Sequence, residues 1–310
     1  MPGGRDGRAT RRAVPRRRDE RVPAAAACRR REGGQPGGDR PRHPLLGNRH
    51  RRPALDAARV LRRRAVPRRH RPDGRPRPGL ERFIRRAASC GKPVALLTVV
   101  EDDLDVIRTE APHSVIVTVC PDEVETGRIQ GRQFRRLLPD GGRVLYVQGR
   151  TRSTTARQRT AGVLEAVQGS GIDLVTIEAG WTPEDGREAV GGWLRVGLRA
   201  NRRVDLIGCQ TDGLAQGARQ AMAAVAGELG RPEIERIPVT GCDGTPQLGQ
   251  AMVSRGELVA TVVLPRTAGT AVELLARLFA NDPPPPPVVL AKPRSFPPEP
   301  QLRPVAAVSA

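Results

Sequence analysis

GGRVLYVQGRTRSTTARQRTAGVLEAVQGSGIDLVTIEAG, residues 141–180, reads as one complete unit of an alternating β/α chain. Val144–Gln148 is an apolar run of the length of a buried strand, ended by Gly149. Thr154–Gln168 then carries apolar residues at helical spacing and stops at Gly169-Ser170-Gly171. Asp173–Ile177 is a second strand. Two strands joined through a helix run parallel, and their shared sheet needs cover on both faces.

The same unit recurs on either side. Upstream, Leu80–Ser89 reads as the end of a helix. Val94–Thr98 and Val115–Val119 read as strands, Glu123–Leu138 as a helix and Pro139–Gly142 as a turn. Downstream come helix Pro183–Leu198, strand Val204–Cys209, helix Gly213–Leu229, strand Ile237–Thr240 and helix Pro246–Arg255. Strand Leu258–Leu264, helix Ala268–Ala280 and strand Val288–Leu290 complete the series. The pattern predicts a doubly wound α/β protein with parallel sheets. Ligands on such sheets sit beyond the carboxyl ends of the strands, here Gln148-Gly149, Gly180-Trp181, Gln210–Asp212 and Cys242-Asp243.

Charge divides the chain in two. The first 90 residues hold 28 of the 53 Lys and Arg and 8 of the 33 Asp and Glu, and the remainder balances at 25 against 25. Residues 1–80 are rich in Arg, Pro and Gly, with too little apolar surface to offset the entropy of ordering. They are expected to be either a solvated, unstructured extension or the displaced reading frame of an N-terminal half, since Arg, Pro, Gly and Ala all have GC-rich codons. Interspersed proline and the lack of stacking aromatics count against a nucleic-acid tail. No apolar h-region follows the basic start, so no signal peptide is visible. No run approaches the length of a transmembrane helix.

Five cysteines without CxxC spacing predict neither a metal site nor a disulfide framework. Three of the four histidines lie in the basic segment, which removes a histidine triad from the remainder. There is no GxGxxG after a strand, no nucleophile elbow and no paired acid and base. The sequence therefore predicts neither catalysis nor a cofactor.

Three of these strand-end segments carry a resemblance. RVLYVQGRTRSTTARQRTAGVLEAV contains an A-x-x-R-x-x-G pattern from Ala156 to Gly162. LIGCQTDGLAQGARQAM is similar to a strand followed by N-D-x-M-A-x-G-A. IPVTGCDGTPQLGQAMVSRGELVATVVLP is similar to a V-x-G-x-D-G-x-P…G…A-T-V block. In order and spacing they resemble the type I periplasmic sugar-binding proteins, two-lobed receptors that serve ABC importers.

The resemblance implies that 123–264 is a complete C-terminal lobe and that 81–122 and 265–292 are part of a truncated N-terminal lobe, with 293–310 a tail. It implies a monomeric receptor for a monosaccharide or similar small polar ligand, located in the periplasm or cell envelope. Its protein partner would be an ABC transporter permease, and it would have no nucleic-acid partner. A lactose-repressor-like regulator shares this fold, but no window in 1–80 has the period of a helix-turn-helix.

By the same resemblance Asp243 accepts hydrogen bonds from sugar hydroxyls; its alternative role is to cap the helix from Pro246. Arg159 forks onto sugar oxygens, with Arg157 the solvated competitor. Trp181 supplies an aromatic platform, whereas Trp193 belongs to the core. Thr211 stands where the family has asparagine, so Gln210 is a candidate substitute. Asp212 is expected to cap the following helix, and Asp102 and Asp103 are loose candidates from the first lobe.

Overall fold

A computed structural model describes residues 78–97, 103–200 and 202–305. The expectations for the basic segment before residue 78 and for Asp102 lie outside these residues.

The central strand β3 (Gly142–Gln148) organises the larger sheet. β4 (Ile172–Glu178) pairs with one edge of it and β5 (Leu206–Cys209) with the other, and β6 (Val239–Thr240) pairs with β5. All the pairings are parallel and give the order β4-β3-β5-β6. Alternation along β3 sends successive side chains to opposite faces. Leu145 and Val147 pack with Val190 and Leu194 of helix Pro183–Arg199 and with Leu214 and Met222 of helix Asp212–Leu229. Val144 and Tyr146 pack with Phe134 of helix Glu123–Leu137 and Val163 of helix Thr154–Val167. The sheet is thus covered on both faces, as the continuous apolar strands require.

In chain order the described helices are α1 (Pro78–Ser89), α2 (Asp103–Glu110), α3 (Glu123–Leu137), α4 (Thr154–Val167), α5 (Pro183–Arg199) and α6 (Asp212–Leu229), followed by the short α7 (Ala251–Ser254) and α8 (Thr267–Phe279). The first lobe is represented by a parallel sheet of order β1-β2-β8, made of β1 (Val94–Leu96), β2 (Ile116–Pro121) and β8 (Val288–Ala291). Ile84 of α1 and Leu104 and Ile107 of α2 form one cluster with β1 and β2, and Ala271 of α8 packs with Val117 and Val119. Val272 and Phe279 on α8 and Leu290 on β8 remain exposed.

Three expectations change. The segment from Pro246 opens as a π-helical turn (Pro246–Gln250) and only then becomes α7. In 258–264, regular pairing is confined to β7 (Thr261–Val263), which runs antiparallel to β9 (Arg294–Phe296). β9 lies in the stretch read as a tail, and that reading is corrected. Leu302 is buried with Phe134 and Leu137, Arg132 of α3 pairs with Glu299 at 3.0 Å, and the Val305 amide donates to the Leu137 carbonyl. Proline-rich flanks and a three-residue strand gave no periodic signal to read.

Candidate functional site

The sheet order brings the ends of β3, β5 and β6 side by side, and α4 starts above the first of them. Arg159 stands in α4 where that helix crosses α3 closely. A Cβ on Gly162 would lie 2.0 Å from the Val124 carbonyl oxygen, and one on Gly127 2.0 Å from that of Arg159. Only glycine permits this approach, which sets Arg159 directly over the first turn of α3. Its Nε donates to Glu123 Oε2 at 2.7 Å and its Nη1 to the Gln210 carbonyl at 2.5 Å. Arg159 and Glu123 are both buried, a paired charge rather than two isolated ones.

Asp243 follows β6 in a left-handed backbone conformation, φ 104°, which a non-glycine residue rarely adopts. It is held there from both sides: its amide donates to the Val262 carbonyl, and its own carbonyl accepts from the Leu264 amide. Its carboxylate Oδ1 lies 3.9 Å from Arg159 Nη1, and 39% of its side chain is exposed. Burial pushes the carboxyl up to about 7; Arg159 opposes the rise, while Asp212 and Glu123 reinforce it.

Asp212 is what fastens this loop, a role the sequence did not reveal. Its Oδ2 accepts from the Gly244 amide at 2.7 Å and its Oδ1 from the Thr261 hydroxyl at 2.6 Å. Its amide donates to the Cys242 carbonyl. A Cβ on Gly241 or Gly249 would lie 2.3 or 2.1 Å from its carboxylate oxygens, so the spaced glycines of the G-x-D-G…G block are the walls of a cradle. Burial pushes Asp212 up to about 6, against the pull of Thr261, Gly244 and Arg159. The expected cap is instead Thr211, whose hydroxyl accepts from the Leu214 amide at 3.0 Å. Asp243 does not cap the next segment, where Thr245 holds the N-cap position.

Gln210 is placed differently from its expected ligand role. It is fully buried, its Oε1 accepts from the Gly149 amide, and its Nε2 faces the Tyr146 hydroxyl, the Ala156 carbonyl and the Thr160 hydroxyl. Its side chain ties the ends of β3 and β5 to α4 and is spent on the scaffold. Arg157 folds back on the carbonyls of Thr151 and Arg152, and Trp193 packs at the edge of the core.

Trp181 is half-buried after β4, with its amide donating to Asp185 Oδ2. Its ring lies over Gly149, where a Cβ would come within 2.2 Å of it. The ring therefore reaches the end of β3, two strand spacings or about 10 Å from β6 and the approach to Asp243. Arg159 and Asp243 are brought together, and Trp181 stands across from them along the row of strand ends. Asp103 begins α2. Among the described residues no group of three or more His, Cys, Asp or Glu could hold a metal ion, and no helix is long and apolar enough to cross a membrane.

A parallel α/β lobe with its polar groups gathered at the strand ends defines a class of binding protein rather than a single member. The family model described as "Periplasmic binding protein domain" matches residues 77–281, and the chain belongs to that family. It is 30% identical over 146 residues to the D-ribose/D-allose-binding protein of Pseudomonas aeruginosa, covering 46% of this chain and 42% of that protein. It is 28% identical over 156 residues to the ribose import binding protein of Escherichia coli, covering 50% and 49%. The chain thus spans about half the length of the curated relatives it matches. Among solved structures it is similar to an ABC transporter periplasmic solute-binding protein from Actinobacillus succinogenes with bound D-allose. There the TM-score is 0.57 and the identity 23%, over 68% of this chain and 72% of that one, a likeness of fold.

Proposed function

We propose that this chain is a solute-binding receptor for a monosaccharide or similar polyhydroxylated ring, serving an ABC import system in the periplasm or cell envelope. One observation supports the ligand class above all. Asp243 is a half-exposed carboxylate at the strand ends, braced by backbone on both sides and given no side-chain hydrogen-bond donor among the described residues. Adjacent ring hydroxyls are the donors such a group lacks, and Trp181 offers an apolar face for the C–H side of the ring. Arg159 sets the charge beside Asp243 and is locked by Glu123 and Gln210. Thr211 and Gln210 act beneath the site, on the helix cap and the strand ends. The reading involves no catalytic step and no cofactor, and its protein partner is the transporter permease, met by a monomer.

Calorimetry of the full chain against a panel of monosaccharides tests this. Asp243→Ala is expected to cost about 2–4 kcal/mol of binding, as buried hydroxyls lose a charged acceptor. Trp181→Ala is expected to cost about 1 kcal/mol. Unchanged affinity in the Asp243 variant would remove that residue from the site and with it the main support for a sugar.

A further inference from the structure

Helix α8 is joined to β8 by Asn281-Asp282-Pro283-Pro284-Pro285-Pro286-Pro287, a segment the sugar site does not use. Each proline fixes its own φ and holds the residue before it in the extended region, so five in succession form a left-handed polyproline II rod. Both ends of the rod are tied down. Asn281 turns out of α8 at φ 66°, and the Asp282 amide donates to the Arg277 carbonyl at 3.0 Å. At the other end the Pro287 carbonyl accepts from the Thr118 amide and from Arg108 Nη2, each at 2.9 Å. β8 runs parallel to β2 and the rod leads into its start, so the rod lies at the opposite end of this sheet from the carboxyl ends of its strands.

A polyproline II rod repeats about every three residues, so Pro283 and Pro286 share one edge, Pro284 and Pro287 a second, and Pro285 occupies the third. Exposure follows that repeat: Pro285 is half-buried and the other four are exposed. The rod therefore rests on the lobe by one edge and turns two proline ridges to solvent. Among the described residues the carbonyls of 283–286 meet no donor. Apolar surface continues past both ends, with Phe279 45% and Leu290 54% exposed. We infer that the rod is a docking element for a second protein, one whose groove is lined by parallel aromatic side chains. Aromatic rings pack between proline ridges, and an indole N–H or phenol O–H beside them supplies the donors that the carbonyls lack. The rod offers no N–H of its own, which rules out a partner that would pair with it as a strand. Because it is formed and held before the partner arrives, little ordering entropy is lost on docking.

The test is titration of the full chain into three isolated domains used as probes, an EVH1, a WW and an SH3 domain, whose grooves read polyproline II segments. Tryptophan fluorescence of each probe reports binding, and a free peptide of residues 281–290 serves as the reference. At least one probe is expected to bind the chain no less tightly than the peptide, since the chain holds the rod in shape. Pro286→Ala, on an exposed ridge, is expected to weaken that binding about tenfold, and Pro285→Ala, on the edge against the lobe, by less than about twofold. Melting midpoints of both variants beside the parent separate loss of docking from loss of fold. If no probe binds the chain, or if Pro285→Ala weakens binding as much as Pro286→Ala in a chain that melts like the parent, the inference fails. The sugar-receptor reading does not depend on the outcome.

Discussion

Asp243 and Asp212 show how a loop can be positioned by one carboxylate so that another faces the ligand. Asp212→Ala would leave the Gly244 amide and the Thr261 hydroxyl buried without an acceptor, at about 1–3 kcal/mol each. The variant is expected to melt earlier and to bind less tightly, although Asp212 does not face the cleft; thermal denaturation and calorimetry together would register both losses. The raised carboxyls also set a pH dependence with an unusual sign. An acid whose folded-state value exceeds its unfolded value stabilises the fold while protonated and ceases to do so as pH rises. With Asp212 near 6 and Asp243 near 7 against 3.8 in the open chain, these groups should make stability fall between about pH 4 and pH 7. Water at the 39% exposed Asp243 side chain damps its share. Melting midpoints measured across this range should decline less steeply in Asp243→Asn than in the parent. An identical slope would show that Asp243 titrates normally.

Helix crossings do for the guanidinium what the glycine cradle does for the carboxylate. Arg159 meets Glu123 because α3 and α4 touch through Gly127 and Gly162. An alanine at 162 would put carbon 2.0 Å from the Val124 carbonyl, and the helices must part by roughly 1 Å or more, since C···O contacts are tight below about 3.3 Å. Gly162→Ala is expected to destabilise by about 1–3 kcal/mol in denaturant titration and to weaken ligand binding by moving Arg159. The A-x-x-R-x-x-G spacing was legible as a pattern, but its reason was not, because close approach is a property of two helices and the sequence shows one at a time. The strands and helices of the larger sheet were legible for the opposite reason. Runs such as Val144–Val147 and Leu206–Cys209 state their burial locally, and the strand-end rule then points to Asp243 and Trp181 without further information. What stayed hidden was tertiary: that Gln210 is consumed by Tyr146, Ala156, Thr160 and Gly149, that Thr211 takes the cap, and that Asp212 is turned towards β7.

The two ends of the chain are expected to make opposite demands on the folded protein. The chain passes between the lobes after β2, after β7 and after β8, and its last pass returns to the second lobe through β9. Gln133 of α3 joins that pass to β7, donating to the Thr261 carbonyl at 3.1 Å and lying 2.9 Å from the Ser295 hydroxyl. Beyond it, Leu302 closes the core beside Phe134, and Arg132 binds Glu299. Shortening the chain before Arg294 would therefore strip β7 of its antiparallel partner and expose Phe134 and Leu137, whereas composition predicts no packed role for the Arg/Pro/Gly-rich residues at the start. Removing residues 1–77 is expected to leave the melting midpoint nearly unchanged. Removing 294–310 is expected to lower it clearly, and Leu302→Ala alone should cost about 2–3 kcal/mol, roughly 4–12 °C for a chain of this size. Differential scanning calorimetry of the three variants beside the parent would decide between the ends. A midpoint that survives loss of 294–310 would return that stretch to the status of a tail, while one that collapses on loss of 1–77 would give the basic segment a place in the first lobe.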